Sequence, residues 1–159
     1  MNARISVLAM FLVSKAVFAN ASSAETPRNV GDVSSEQDQD DMQENLKKMI
    51  PAMDGFKTSV DELKREIHET SPAVETILKQ VEKNLEKSSD AAQSAMSTTD
   101  PQVVLFKYVQ TKMYLSLARA ELTRAASVAL RAEGLEPFAK KLLALGQTMD
   151  DLLSNVKDV

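Results

Sequence analysis

The chain has 159 residues, with 19 Lys+Arg against 23 Asp+Glu and 43% hydrophobic content. It contains no Cys, no Trp and one His, which excludes disulfide frameworks, thiol nucleophiles, cysteine metal sites and every His–His metal motif. A net charge of −4 makes nucleic acid an unsuitable partner.

Residues 1–21 read as a secretory signal peptide. Arg4 supplies the positive start and Val7–Val13 is an uninterrupted apolar core. Small residues offer cleavage after Ala19, Ala21 or Ala24. Lys15 cuts the apolar run short of the roughly 20 residues that a spanning helix needs. The expectation is an exported protein, extracellular or, in a bacterium, periplasmic, whose core must hold without a covalent staple.

Residues 22–34 are rich in Ser, Asn, Pro and Gly and are expected to form a disordered acidic and polar lead-in. Seven acids and one base lie between Glu25 and Glu44, whereas residues 45–159 hold 16 of each sign. Asp38-Gln39-Asp40-Asp41 resembles the start of a calcium loop. It has Gln43 where the loop needs Gly and Met49 where it needs Glu, so the reading fails. Acids in the opening turns of a helix, where they complement its dipole, explain the cluster.

From residue 35 to 159 the spacing predicts one all-α domain. Met42, Leu46, Met49, Met53, Phe56, Val60, Leu63 and Ile67 follow alternating steps of three and four. Val74, Leu78, Val81, Leu85, Ala92 and Ala95 repeat the rhythm, with Ser88 in the seam; Leu135, Phe138, Leu142, Leu145, Met149, Leu152, Val156 and Val159 close it. Such spacing gives each helix a narrow apolar stripe of the kind that packs in coiled-coil-like seams. Ser34 with Gln37, Ser71-Pro72 and Thr99-Asp100-Pro101-Gln102 are helix starts, and Gly134 suits a left-handed helix end. The expected helices are 35–69, 72–97, 100–133 and 136–157. They should form an antiparallel up-down four-helix bundle, with the first helix kinked or broken near Pro51.

The third helix is different. Between Pro101 and Ala132, 19 of 32 positions are apolar, which predicts a helix buried on several sides or, as the alternative, an exposed patch for a partner or a lipid. The same window carries Lys107, Lys112, Arg119, Arg124 and Arg131 against one acid, Glu121. These cations suit a solvated strip that meets acids of neighbouring helices, or anionic headgroups.

No set of residues supports catalysis. His68 has Arg65 where a di-metal bundle needs Glu, and no partner at four-residue spacing. Glu44–Lys48, Asp61–Arg65, Glu75–Lys79 and Glu136–Lys140 have the spacing of solvated helix-surface pairs. Neither a serine elbow nor a glycine-rich phosphate loop occurs. The protein is therefore expected to be no enzyme and to need no cofactor or metal. In general character, a cysteine-free exported bundle with heptads is similar to exchangeable apolipoproteins, nematode fatty-acid carriers, mite helical allergens and pathogen effectors, a likeness of class.

The leading expectation is action through protein–protein contact, with a partner or by self-association through heptad faces, as an effector, scaffold or chaperone-like protein. The alternative is a carrier of a fatty acid or other apolar ligand, or a bundle that binds a lipid surface. Its expected ligand wall is Phe106, Val109, Met113 and Leu117 on the third helix.

Overall fold

The computed structural model describes residues 33–156, with side chains from residue 37 onward. The expected signal segment 1–21 lies outside the described residues, as does the lead-in up to residue 32. Four helices follow: α1 Val33–Ile67, α2 Pro72–Met96, α3 Pro101–Ala129 and α4 Glu136–Asn155. No strand occurs among the described residues. α1 begins at Val33, so Ser34 stands inside the helix rather than at its cap.

The three-four stripes become the core. Leu46, Met49, Met53 and Val60 of α1 are fully buried, as are Val74, Leu78, Val81 and Leu85 of α2, and Leu142 and Met149 of α4. Together they form one continuous cluster with Val104, Tyr108, Leu115 and Leu122 of α3. Each such side chain taken from water stabilises the fold by roughly 1.5–3 kcal/mol. Ser88 keeps its place in the α2 seam because its hydroxyl donates to the Thr111 carbonyl at 2.9 Å.

α1 runs through Pro51 as one continuous helix, so of the expected kink or break the break does not occur. The pyrrolidine ring is exposed, while Met49 and Met53 on either side of it are fully buried. Their packing outweighs the lost hydrogen bond and the ring clash, a penalty of about 3 kcal/mol. α1 and α2 are separate helices, joined by a turn at 68–71. Ser71 caps α2 by accepting from the Val74 amide at 3.4 Å, with Pro72 in the first turn.

α3 starts one residue later than expected and is capped by Asp100, whose Oδ1 accepts from the amides of Gln102 (2.9 Å) and Val103 (3.4 Å). It ends at Ala129 rather than near 133, and residues 130–134 form turns instead. Gly134 ends that connection with φ +80°, the left-handed geometry its lack of a Cβ permits. Gly146 lies buried within α4, and the helix continues through it. A Cβ there would lie 4.0 Å from the Leu122 Cβ, an ordinary contact, so close approach does not require the glycine.

Polar contacts tie the helices together. Lys64 of α1 reaches Glu82 of α2 at 2.6 Å and Asp61 of its own helix at 3.2 Å. The hydrogen bond to Glu82 is the main reason that the Lys64 ammonium is held above its ordinary range. Asp61 thus pairs with Lys64 rather than with the expected Arg65. Glu44–Lys48 (2.7 Å) and Glu75–Lys79 (2.8 Å) form as their spacing predicts. Across the bundle, Lys141 of α4 meets Glu66 of α1 at 2.7 Å.

Candidate interaction surface

The inner face of α3 is fixed at several points. Val104, Tyr108, Thr111, Leu115, Ala118, Leu122, Ala125 and Ala129 are buried. The Tyr108 hydroxyl accepts from the buried Asn45 amide at 3.2 Å. The Thr111 hydroxyl donates to the Lys107 carbonyl at 2.8 Å, while its own carbonyl receives Ser88. At 100° per residue, an inner face set this way fixes the outer one.

That outer face is apolar. Phe106 is 59% exposed, Val109 56%, Met113 45% and Leu117 46%. These are the four residues expected to wall a ligand cavity, and the structure brings them together as a stripe on the surface. Leu105 and Val103 flank them, exposed by 47% and 37%. The expectation that α3 is buried on several sides is therefore corrected. The physical cause is that the other three helices pack on one side of α3. The contacts at Tyr108–Asn45 (3.2 Å), Thr111–Ser88 (2.9 Å), Arg119–Asp150 (2.7 Å) and Leu122–Gly146 all lie off the outer line of the helix.

Sequence reasoning missed Val103 and Leu105, although the signal was present. Val103, Val104, Leu105 and Phe106 are four consecutive apolar residues. At 100° per residue they sweep most of the helix circumference, so one inward face cannot hold them all. Here Val104 alone of the four is buried.

Cations border the stripe. The Lys107 ammonium lies 5.8 Å from the centre of the Phe106 ring, and Lys87 of α2 lies 5.3 Å from that of Tyr114. Both are within the range of cation–π attraction. A shallow groove of about 250 Å³ runs beside the stripe, lined by Lys87, Asp90, Ala91, Lys107, Gln110 and Tyr114. Further along, Arg119 pairs with Asp150 of α4 and Arg124 with Glu121 of α3 at 3.1 Å.

The remaining sequence candidates lie elsewhere. His68 is exposed at the α1–α2 turn and faces Glu75 at 3.0 Å. The Glu75 carboxyl is held below the usual carboxylate range, first by the hydrogen bond from Lys79 and then by that from His68. An open groove of about 420 Å³ separates α1 from α4, with Leu63 and Leu145 beside Glu62, Glu66, Lys141 and Thr148. None of the four expected wall residues lines it. Among the described residues, no group of three or more His, Cys, Asp or Glu is placed to hold a metal ion. Among the same residues, no helix is long and apolar enough to cross a membrane.

Comparison with protein-family models, with curated proteins and with solved structures gave no match.

Proposed function

We propose that this protein is an exported, non-enzymatic helical bundle that acts through protein–protein contact at the outer stripe of α3. One observation carries the reading: six large apolar side chains, 37–59% exposed, lie together on a helix whose opposite face is fully packed. Anchors at i, i+3, i+7 and i+11 (Phe106, Val109, Met113, Leu117) are the pattern by which one helix docks on another or enters a groove. The reading includes an up-down antiparallel order for the bundle. Paired positions support that order, since numbers rise on one helix as they fall on the next: Lys64–Glu82 and His68–Glu75, then Arg119–Asp150 and Leu122–Gly146.

A photo-crosslinking residue in place of Val109, used in the compartment where the protein resides, tests the proposal. The expected result is a covalent adduct with protein, absent when the same residue replaces exposed Lys140 on α4. The second reading, lipid contact, draws on Lys87 and Lys107 beside the stripe, since anionic headgroups would meet them. If Val109 yields no protein adduct, and the chain floats with phosphatidylglycerol vesicles unless Phe106 becomes Glu, lipid replaces protein as the partner.

A further inference from the structure

We infer that the occupant of the stripe is a second copy of this chain, its α3 lying antiparallel to the first. The inference rests on the proposed role of the stripe in protein contact and names the partner.

Charge is the first reason. The outermost line of α3 runs through Gln102, Phe106, Val109, Met113, Leu117 and Ala120, and the first charge on it is Arg124. The centre of this surface therefore offers a charged partner nothing to pair with. Interface centres depleted of charge suit a partner of the same kind.

Symmetry is the second. A two-fold interface must be complementary to itself. An axis midway between Thr111 and Lys112 carries Phe106 onto the partner's Leu117 and brings Val109 to within one residue, about 1.5 Å along the helix, of the partner's Met113. Large side chains then meet large side chains, and Lys107 falls opposite the partner's Ser116. A parallel pair would instead stack Phe106 on itself and set each of Val109, Met113 and Leu117 against its own copy.

Area is the third. At the observed exposures the six side chains present about 500 Å² per protomer, near the upper end of the largest apolar patch found on monomers. Val103 and Leu105 lie on opposite flanks and would be covered only in part, so two copies would bury somewhat under about 1,000 Å² of apolar surface, close to the threshold of a specific interface once the bordering polar residues are added.

The absence of cysteine from the chain makes the test direct, because any introduced thiol is the sole one. By sedimentation, the chain should be a concentration-dependent dimer, and Val109→Asp should weaken the dimer by at least about 30-fold. Circular dichroism should show unchanged helicity, and Phe106→Ala should weaken the dimer in the same direction. Met113→Cys, close to the axis, should oxidise to a linked dimer. Phe106→Cys alone should not link, since its two copies lie about 16 Å apart along the helix; mixed with Leu117→Cys, it should. Self-linking of Phe106→Cys would overturn the antiparallel arrangement. A dimer that survives Val109→Asp would overturn the interface. A monomer at every concentration that still crosslinks a different protein from Val109 would overturn the second copy and leave the proposed function standing.

Discussion

Two residues show how local chemistry shapes this molecule. The Ser89 hydroxyl is buried in α2 with no hydrogen-bond partner among the described residues. An unsatisfied buried hydroxyl costs about 1–3 kcal/mol. Ser89→Ala should therefore raise stability by about 1 kcal/mol in urea denaturation, and a loss of stability would reveal a partner for the hydroxyl. Glu75 makes the second case. Lys79 and His68 hold its carboxyl below the usual range, so its contribution is present above that range and is lost as pH falls through it. Acidification from about pH 5 to 3 should loosen the α1–α2 turn, seen as lower amide-exchange protection factors at Thr70 and Ser71. Glu75→Gln should abolish that part of the acid response.

At the scale of elements, each helix reflects a contest between propensity and packing. α1 tolerates Pro51 because its buried seam continues on both sides. Pro51→Ala should restore the missing hydrogen bond and stabilise the protein by about 1–3 kcal/mol. A neutral result would mean that the helix had already relaxed around the ring. Within α4, Gly146 contributes only conformational freedom, since a Cβ would make an ordinary contact with Leu122. Gly146→Ala should add about 0.5–1 kcal/mol, read as a higher midpoint in thermal denaturation. The seams of α1, α2 and α4 were legible in the sequence because their apolar residues occupy one face, with polar residues on the rest. Helix starts were legible too, from Ser71-Pro72 and Asp100-Pro101. The early end of α3 was not, since residues 130–133 (Leu, Arg, Ala, Glu) carry no stop signal before Gly134.

For the whole molecule, the decisive division is between the two apolar faces of α3. Leu115 is fully buried and Leu117, two residues on, is 46% exposed. Leu115→Ala should cost about 2–5 kcal/mol in global stability, while Leu117→Ala should cost well under 1 kcal/mol. Similar losses at both would mean that the stripe is covered within the chain. Helical class and the buried residues of three helices follow from composition and spacing, which are local properties of the chain. Spacing, however, cannot rank two apolar faces of the same helix, because each satisfies a helical period equally well. The choice came from neighbours distant in sequence: Asn45 and Ser88 bind the Tyr108–Thr111 side, and α4 meets α3 at Arg119 and Leu122, off the outer line of the helix. Burial depends on which helices arrive, and that is settled when the bundle assembles.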